Sequence, residues 1–408
     1  MDKKFGLLGE KLGHSYSPQI HGLLKDYDYK LYEVARDEVK RFLETTELGG
    51  MNVTIPYKKT VMESCVRLSD VAAKMGAVNT LVKREDGWHG YNTDYYGFCE
   101  LTVSSGIKVA DKKCLVLGSG GASNTVCHAL KDLGASEVIV ISRSGENNYD
   151  NIAHHKDAKI IVNTTPVGMY PNNGSAAVDL KLFTECEGVL DVIYNPARTA
   201  LLLQAEELSI PHAGGLYMLV AQAKKSAELF TDTVIKDDVI AKITKKLEAD
   251  MQNIILIGMP GSGKSSIGMK LSELCGKRLI EADAEIEKKA GKDIPSIFRE
   301  SGEEEFRRIE TEVLKEAGKL SGCIISTGGG CITRKENYPL LHQNGRIVWI
   351  KRDISRLPVD GRPISQSNPL EKLYEERKDK YEAFADAVIE NDGTVEKAAK
   401  EILEMIEK

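Results

Sequence analysis

Residues 251–266 read MQNIILIGMPGSGKSS, and this stretch decides the fold of the second half of the chain. Its apolar run, residues 253–257, predicts a buried strand, and residues 258–265 fit the pattern G-x-x-x-x-G-K-[S/T] between that strand and a helix. A loop of this kind turns backbone N–H groups towards phosphate oxygens. We expect Lys264 to bind the β- and γ-phosphates of a nucleotide and Ser265 to ligate Mg²⁺. A chance glycine-rich turn is the alternative.

The same alternation of short apolar runs and longer amphipathic segments extends over the whole chain. It predicts an α/β fold with mainly parallel sheets. Helices are expected at residues 124–133, 218–230 and 267–274. Strands are expected at FGLLG (5–9), LYEV (31–34), MNVTI (51–55), CLVLG (114–118), EVIVIS (137–142), KIIVNTT (159–165), VLDVIY (189–194), NIILIG (253–258), RLIEAD (278–283), CIISTG (323–328) and RIVWI (346–350).

The length of 408 residues predicts two or three domains. The charged segment 234–250 has helical spacing and closes a unit, and a new strand follows Met251 after a linker of a few residues at most. We therefore expect a substrate domain at residues 1–100, closed by helices at about 217–246, a Rossmann domain at 101–216, and a phosphate-loop domain at 251–408.

The composition is that of a globular protein, with 42% hydrophobic and 28% charged residues. A net charge of −6 provides no polycationic surface for nucleic acid, so an acidic substrate must be held by a few local cations. The eight cysteines form no CxxC pair and indicate buried free thiols in a reducing compartment. The N-terminus lacks the apolar core of a signal peptide, and no apolar run has membrane-spanning length. We expect a cytoplasmic protein without a membrane partner.

A series of motifs follows the phosphate loop. The run RLIEAD ends in Glu281 and Asp283, expected on one side of an extended segment, where one carboxylate can serve the metal and the other a substrate hydroxyl. The later motifs are EEEFRRIE (303–310), GGG (328–330), GRP (361–363) and Arg377 in the charged run EERKDK (375–380). Taken singly, these motifs also fit an ordinary surface: a helical Arg307–Glu310 pair, a plain glycine loop and a solvated charged face.

In this order the motifs resemble those of shikimate kinases, over essentially all of residues 251–408. The resemblance implies that Asp283 binds the acceptor hydroxyl and orients or deprotonates it. It implies that Arg307 and Arg377 bind the shikimate carboxylate and that Gly329 lets the backbone approach the ring hydroxyls. Arg362 would stabilise the transferring phosphoryl group from a mobile lid. The contacts with ATP are expected from Gly261, Ser262, Gly263, Lys264, Ser265, Ser266 and Arg362, with Mg²⁺ at Ser265.

Two features depart from the kinase pattern. Glu281 stands where these kinases usually have an aspartate, so the longer carboxylate must shift or bind Mg²⁺ through water. The stretch RDISRLPVDGRPI (352–364) is also shorter than a typical lid. Whether Arg356 replaces an arginine that normally covers the nucleotide is left open by the sequence.

A second glycine-rich turn, GSGGAS (118–123), follows a predicted strand and opens a helix. It is close to the dinucleotide-binding fingerprint, with Ser123 in place of the third glycine. The next strand ends in Ser142, Arg143 and Ser144, where an enzyme that uses NAD usually has an acidic residue. A cation flanked by two hydroxyls suits a 2′-phosphate, so the sequence predicts NADP(H).

Other motifs lie on both sides of this turn: GHSYSP (13–18), NVTIPYK (52–58), GAVNT (76–80), NTD (92–94), NTTPVG (163–168), DVIY (191–194) and GLYMLVAQ (215–222). Together they resemble shikimate dehydrogenase over nearly all of residues 1–246. The resemblance implies Lys58 as the proton donor to a ketone, with Asp94 as its partner. It assigns no catalytic role to His14. Two plainer alternatives are an exposed pair of lysines at 58–59 and a turn at 92–94.

The same resemblance implies the binding residues. Ser15 and Ser17 would bind the substrate carboxylate, with Tyr194 near the ring. The ring hydroxyls would be bound by Asn52, Thr54, Asn79, Asp94 and Gln222, because a polyhydroxylated ring needs a partner for each polar group. The cofactor would be bound by Gly118, Ser119, Gly120, Gly121, Ala122, Ser142, Arg143, Ser144, Thr164, Val192 and Gly215.

The two resemblances share one compound. The first implies shikimate as the product of 3-dehydroshikimate and NADPH, and the second implies shikimate as the acceptor of a phosphoryl group from ATP. The predicted function is therefore a pair of consecutive steps. Two alternatives are a dehydrogenase half that acts on quinate or a related hydroxy acid, and a kinase half that binds its ligands without turnover. The sequence leaves the oligomeric state open.

Overall fold

A computed structural model describes residues 4–13, 15–357 and 370–407. His14 and Arg362, with the lid motif at 361–363, lie outside these residues. The chain divides into two compact units. The first unit comprises Met1–Met169, Ser175–Tyr194 and Leu201–Lys245, and the second comprises Tyr170–Gly174, Asn195–Ala200 and Lys246–Lys408.

The first unit begins with a six-stranded sheet. Its strands lie in the order β2-β1-β3-β5-β6-β4. They are β1 (Phe5–Gly9), β2 (Tyr29–Glu33), β3 (Gly50–Val53), β4 (Cys65–Leu68), β5 (Thr80–Arg84) and β6 (Gly87–Tyr91). Strand β5 runs antiparallel to both of its neighbours, and the other pairs are parallel. Three of the five strand pairs in this sheet are thus parallel, and the antiparallel hairpin β5–β6 is a feature that was not predicted.

A second sheet of the first unit is entirely parallel, in the order β11-β10-β9-β7-β8. Its strands are β7 (Lys113–Leu117), β8 (Glu137–Ile141), β9 (Ile160–Asn163), β10 (Gly188–Asp191) and β11 (His212–Ala213). The carboxyl ends of parallel strands meet at one edge, where open α/β sheets bind their ligands.

Among the described residues, eight α-helices precede the strand Asn253–Ile257 that leads into the phosphate loop. They are α1 (Ser17–Leu24), α2 (Val39–Thr45), α3 (Asp70–Met75), α4 (Asp94–Ser104), α5 (Gly121–Asp132), α6 (Ala200–Glu207), α7 (Leu216–Thr231) and α8 (Asp238–Met251). Helix α7 returns to the first sheet, where Phe230 stacks on Phe5 with ring centroids 4.8 Å apart. A Cβ atom at Gly97 of α4 would lie 2.7 Å from the Met218 carbonyl oxygen of α7, so only glycine allows this packing.

The second unit contains a parallel sheet in the order β13-β14-β12-β15-β16. Its strands are β12 (Asn253–Ile257), β13 (Arg278–Glu281), β14 (Cys323–Ser326), β15 (Gly345–Lys351) and β16 (Ala387–Glu390). Its helices are α9 (Lys264–Cys275), α10 (Ala282–Ala290), α11 (Ile294–Lys319), α12 (Asn337–His342), α13 (Leu370–Phe384) and α14 (Val395–Glu407).

Strand β12 is buried on both faces, which explains why it is apolar throughout. Ile254 and Leu256 pack into one core cluster, while Ile255 and Ile257 pack into the other on the opposite face of the sheet. This is the side-chain alternation of a central strand covered by helices on both sides. The predicted α/β class is confirmed in all three sheets.

Two predicted boundaries need correction. Strand β13 ends at Glu281, and Asp283 lies in the first turn of helix α10, so the two carboxylates do not share an extended segment. Helix α8 continues to Met251, and Gln252 alone separates it from β12. Within the described residues no helix has both the length and the apolar character needed to cross a membrane.

Candidate active sites

Lys58 and Asp94 form the central pair of the first unit. The Lys58 ammonium donates to Asp94 Oδ2 at 2.6 Å, and both side chains are only partly exposed. Asp94 is the first residue of α4, while Lys58 follows strand β3 in the segment 54–59. The neighbouring Lys59 is exposed. The alternative of two exposed lysines is therefore wrong for Lys58, and residues 92–94 lead into a helix instead of forming an isolated turn.

A buried network of amides and hydroxyls lies beside this pair. Thr93 is at its centre: its N–H donates to Asn79 Oδ1 at 2.7 Å and its hydroxyl to Gln222 Oε1 at 3.3 Å. Asn79 returns a bond from Nδ2 to the Thr93 hydroxyl at 3.1 Å. Thus two predicted ring-binding residues, distant in sequence, are held through one threonine next to Asp94.

Asn52 belongs to the same network but faces into the core. Its Nδ2 donates to Ser226 Oγ at 2.7 Å and to Thr80 Oγ1 at 3.2 Å, and its Oδ1 accepts from the Tyr29 hydroxyl at 2.8 Å. These partners occupy its amide, so its support of the pocket is indirect in this structure. Tyr29 and Ser226 had no signal in the sequence, because only the fold brings β2 and α7 to Asn52.

The predicted carboxylate-binding serines lie at the start of helix α1. Ser15 Oγ accepts from the Ser17 N–H at 3.2 Å, which fixes the turn into the helix. Tyr16, between them, packs edge-on against Tyr194 with ring centroids 6.0 Å apart. Tyr194 is therefore adjacent to the serine segment. Thr54 is half-buried at the end of β3, on the segment that carries Lys58.

The cofactor turn joins β7 to α5. Gly118 has φ +102°, and a Cβ atom there would lie 3.1 Å from Thr164 Oγ1, so the turn requires glycine and lies directly against Thr164. Around Gly120 and Gly121 the space is open. Helix α5 begins at Gly121 and offers its N–H groups to an anion, as a pyrophosphate site requires. Ser119 is exposed and Ala122 half-buried on the same turn.

The remaining predicted cofactor residues lie around the same edge of the sheet. A Cβ atom at Gly215 would clash with the Val192 carbonyl oxygen, so these two residues are in direct backbone contact. Arg143 and Ser144 are exposed after β8, and Ser142 is half-buried. The arrangement fits a dinucleotide: a glycine turn and helix start for the phosphates, and an unburied cation at the end of β8.

In the second unit the phosphate loop is already ordered around its lysine. Lys264 Nζ donates to the carbonyl oxygens of Gly258 at 2.9 Å and Met259 at 3.0 Å. Gly261 and Gly263 have φ +84° and +101°, which favour glycine. The helix after the loop starts at Lys264, three residues before the expected start at residue 267.

One cavity of about 690 Å³ collects most of the predicted kinase residues. It is lined by Gly261, Gly263, Lys264, Ser265, Ser266, Asp283, Arg307, Gly329 and Arg377, among others. Ser262 is buried within the loop, with its carbonyl oxygen accepting from Asn391 Nδ2 at 2.7 Å. The residues expected at the phosphates and those expected at the acceptor therefore share one cavity.

Side chains packed against Gly328, Gly329 and Gly330 leave no room for a Cβ atom at any of the three positions. A Cβ atom at Gly328 would lie 2.9 Å from Glu310 Oε1 and 3.0 Å from Asp283 Oδ1. At Gly329 it would meet the Pro260 ring, and at Gly330 it would clash with the Arg307 guanidinium. The alternative of an ordinary loop is wrong, because each glycine makes room for a side chain of the cavity.

Both predicted carboxylate-binding arginines are buried. Arg377 is 5% exposed and donates from Nη1 to the Gly329 carbonyl oxygen at 2.9 Å. Arg307 donates from Nη1 to Glu310 Oε2 at 2.7 Å, and Glu310 is 0% exposed. The surface-pair and solvated-face alternatives are therefore wrong for these arginines. Burial raises the pKa of the Glu310 carboxyl, and the attraction of Arg307 opposes this shift.

Asp283 lines the cavity, where part of its carboxyl group is removed from water. This partial removal from water raises the pKa of its carboxyl, while the positive charge of Lys264 lowers it. The side chain is in place to accept a hydrogen bond or proton from a hydroxyl in the cavity.

The residues at the mouth of the loop fit Mg²⁺. Ser265 Oγ donates to Glu281 Oε2 at 3.1 Å, so one hydroxyl and one carboxylate lie together beside the phosphate loop. Mg²⁺ in phosphoryl-transfer sites takes one or two protein ligands and completes its shell with phosphate oxygens and water. Among the described residues no three His, Cys, Asp or Glu side chains cluster as metal ligands. The structure therefore accommodates glutamate at position 281.

The sequence missed one residue that lines this cavity and one that holds its phosphate loop. Arg352 lines the cavity, with Nη1 3.4 Å from the Gly261 carbonyl oxygen, and Asn391 holds the loop at Ser262. Arg352 directly follows strand β15 and Asn391 directly follows strand β16. This position after a parallel strand is the only feature of the sequence that could have identified them as site residues. Arg356, left open by the sequence, donates to the Asp392 carbonyl oxygen at 2.9 Å.

These folds and sites define an enzyme with two nucleotide sites: an oxidoreductase with a dinucleotide-binding sheet, followed by a phosphotransferase with a phosphate loop. Residues 7–81 match the family model of the shikimate dehydrogenase substrate binding domain, and residues 260–407 match that of shikimate kinase. A shikimate dehydrogenase (NADP(+)) of Clostridium beijerinckii is 37% identical in an alignment of 269 positions that covers 61% of this chain and 98% of that relative.

Two solved structures give the same result for the first unit. A chorismate mutase/shikimate 5-dehydrogenase fusion protein of Clostridium acetobutylicum is 38% identical with a TM-score of 0.59, covering 61% of this chain and 98% of that one. A shikimate 5-dehydrogenase of Thermus thermophilus in complex with NADP(H) and shikimate is 27% identical with a TM-score of 0.55, covering 60% and 99%. The chain belongs to the shikimate dehydrogenase family and carries a shikimate kinase domain after it. The predicted family resemblances are confirmed.

Proposed function

We propose that the first unit reduces 3-dehydroshikimate to shikimate with NADPH and that the second unit phosphorylates shikimate with ATP and Mg²⁺ to give shikimate 3-phosphate. One observation carries this proposal: a single chain holds a lysine–aspartate pair beside a buried network of amides and hydroxyls, and a phosphate-loop cavity with an aspartate and two buried arginines. The two families that match these units have shikimate in common.

In the first unit Lys58 would donate the proton. Bound NADPH supplies the hydride. The Lys58 ammonium gives a proton from Nζ to the carbonyl oxygen as negative charge develops there, and Asp94 holds the ammonium in place through the 2.6 Å bond. Asn79 and Gln222, which are both hydrogen-bonded to Thr93, would bind ring hydroxyls, and Ser15 and Ser17 would bind the carboxylate.

Arg143 supports NADPH as the cofactor. It is exposed after strand β8, where the adenosine ribose of a dinucleotide lies in this type of sheet, and there is no acidic side chain between residues 142 and 145. A guanidinium binds a phosphate through two parallel charge-assisted hydrogen bonds, which are stronger than a hydrogen bond to a neutral ribose hydroxyl.

In the second unit Asp283 would accept the proton of the attacking shikimate hydroxyl. Arg307 and Arg377 would bind the carboxylate of shikimate, which fixes the ring with one hydroxyl towards the phosphate loop. Lys264 would exchange its contacts with loop carbonyl oxygens for phosphate oxygens. Ser265 and Glu281 would hold Mg²⁺, which neutralises charge between the phosphates.

The test is a two-stage assay on the purified chain. The protein receives 3-dehydroshikimate and NADPH, the loss of NADPH is followed by absorbance, and ATP with Mg²⁺ is then added while ADP and shikimate 3-phosphate are measured. We expect NADPH loss first and ADP formation in proportion to the shikimate made. Loss of NADPH without any ADP on addition of ATP would reject the kinase step and favour a ligand-binding second unit.

A parallel assay with quinate and each oxidised cofactor tests the substrate alternative. The proposal expects oxidation of shikimate with NADP⁺ to be faster than that of quinate with either cofactor. Faster turnover of quinate would show that quinate is the substrate of the first unit. The first unit would then not produce the shikimate that the second unit phosphorylates.

A further inference from the structure

Asn163 and Asp191 begin two of the motifs in the first unit, and the roles above leave both of them unused. They are the last residues of the parallel strands β9 and β10, and they are paired in register. Both are almost completely buried, at 1% and 0% exposure. A buried carboxylate is costly unless hydrogen bonds compensate for the loss of water, so its presence at a ligand-binding edge calls for an explanation.

The hydrogen bonds between the two side chains require one orientation of the Asn163 amide. Asn163 Nδ2 lies 3.1 Å from both Asp191 Oδ1 and Oδ2 and donates to this carboxylate. Asn163 Oδ1 accepts from the Thr165 N–H at 3.0 Å and from the Thr165 hydroxyl at 2.7 Å. Because these bonds fix both the oxygen and the nitrogen end of the amide, it cannot turn over without losing bonds at both ends.

Each partner also holds the loop that follows its own strand. Thr165, bound by Asn163, follows Thr164, which donates from N–H and hydroxyl to the Leu117 carbonyl oxygen at 2.9 and 2.7 Å. Asp191 Oδ1 accepts from the Ile193 N–H at 3.0 Å and so sets the turn that contains Val192.

A third loop is attached through the second. The Gly215 N–H donates to the Ile193 carbonyl oxygen at 2.8 Å, and Gly215 is in van der Waals contact with the Val192 carbonyl oxygen. The loops that carry Thr164, Val192 and Gly215 are thus joined by one buried amide–carboxylate pair.

We infer that Asn163 and Asp191 are positioning residues for the nicotinamide nucleotide: they hold Thr164, Val192 and Gly215 in the geometry that receives it, and they touch neither cofactor nor substrate. This inference rests on the proposed function of the first unit. Near-complete burial leaves the pair no surface for a ligand, so its effect on binding must pass through the three loops.

The test compares Asp191→Asn with the exchanged pair Asn163→Asp/Asp191→Asn in the full chain, using the dissociation constant of NADPH. Asp191→Asn alone removes a charged acceptor from the Asn163 amide and the Ile193 N–H, and we expect NADPH binding to weaken about ten-fold or more.

The exchanged pair is the matched control. Its carboxylate at position 163 can accept from Thr165 and from the new amide at position 191, and the oxygen of that amide can accept from the Ile193 N–H. We expect the exchanged pair to bind NADPH within about three-fold of the parent, because each of these bonds has an equivalent.

A milder variant covers the case in which Asp191→Asn does not fold. Thr165→Val removes one donor to Asn163 and keeps the shape of the side chain, and it should weaken NADPH binding by about three- to ten-fold. The kinase rate of each sample reports on the second unit, and thermal melting reports on the first.

Melting temperatures that fall while NADPH binding stays at the parental value would overturn the inference, because the pair would then serve stability alone. Weakened binding that the exchanged pair does not restore would overturn it as well, since the hydrogen-bond pattern would not be the cause. Failure of the proposed function is distinguishable from both results, because it is seen in the parent chain as absence of NADPH binding.

Discussion

Lys58 and Lys59 are neighbours in the sequence, but only Lys58 is paired with a carboxylate and partly withdrawn from water. We expect Lys58→Ala to lower the rate of ketone reduction by about 10²- to 10⁴-fold, the usual contribution of a positioned proton donor. Lys59→Ala is the matched control and should keep the parental rate. The measurement is NADPH consumption with 3-dehydroshikimate. A Lys58→Ala chain with the parental rate would remove this lysine from the mechanism.

Asp283 predicts the pH dependence of the kinase. Burial raises its pKa, and the carboxyl must be ionised to accept a proton from shikimate. The activity is therefore present above this raised pKa and is lost as the pH falls through it, which begins at a higher pH than for an ordinary aspartate. The measurement is kcat/KM for shikimate against pH, with the dehydrogenase rate of the same sample as reference.

The variant Asp283→Asn completes this test. It should lower the kinase rate by about 10²- to 10⁴-fold and leave the dehydrogenase unchanged. An acidic limb that remains in the Asp283→Asn chain would assign the titration to another group, and an unchanged kinase rate would reject Asp283 as the base.

Arg143 is the residue that should determine the choice between NADPH and NADH. Arg143→Ala removes a charged donor to the 2′-phosphate, so we expect kcat/KM for NADPH to fall about ten- to a hundred-fold while that for NADH stays nearly constant. Arg41→Ala, an exposed arginine on helix α2, is the control and should change neither value. An equal fall for both cofactors would indicate general damage to the turn.

At the scale of elements, the triple glycine between β14 and the following 3₁₀ helix shapes the acceptor side of the kinase cavity. Gly330→Ala would place a Cβ atom against the Arg307 guanidinium and force this arginine away from its position. We expect KM for shikimate to rise about ten-fold or more, since a buried hydrogen bond to a charged group is lost. KM for ATP should change less.

Gly393→Ala serves as the control for this substitution. A Cβ atom there would meet only Lys397 Cδ, at 3.8 Å, and KM for shikimate should remain parental. If Gly330→Ala also left that KM unchanged, Arg307 would not be the ligand of the carboxylate.

The elements with strong local patterns could be predicted from sequence. Strand β12 and the loop after it combine an unbroken apolar run with glycines at fixed spacing, and β7 with its turn does the same. Strands β4, β5 and β6 read CVRL, TLVKR and GWHGY and were missed, because polar and glycine residues interrupt them. Their pairing with β3 and with each other determines them, and such contacts are not local in sequence.

Asp283 shows why part of the site escaped prediction. The strand was expected to continue to Asp283, but β13 ends at Glu281, two residues earlier, and helix α10 begins at Ala282. The buried Glu310 was not separable from a surface partner of Arg307, because the spacing of three on a helix is the same in both cases. Burial of helix α11 against α10 decides between them, and the sequence does not display it.

At the scale of the whole molecule, the chain makes both enzymes in equal amounts. If shikimate passes between the active sites through solution, two damaged chains should complement each other. An equal mixture of Lys58→Ala and Asp283→Asn chains is expected to convert 3-dehydroshikimate to shikimate 3-phosphate, with a lag that shortens as more Lys58→Ala chain is added. A mixture that accumulates NADP⁺ without the final product would show that the intermediate does not leave the chain that made it.

Lys264 makes two hydrogen bonds to its own loop before any nucleotide arrives. We therefore expect nucleotide binding at this lysine to be an exchange of partners, in which contacts with phosphate oxygens replace hydrogen bonds to neutral carbonyl oxygens and the heat released is the difference between the two. Titration calorimetry with ATP measures this difference. We expect the binding enthalpies of the parent and Lys264→Met chains to differ by less than the enthalpy of one complete lysine–phosphate contact.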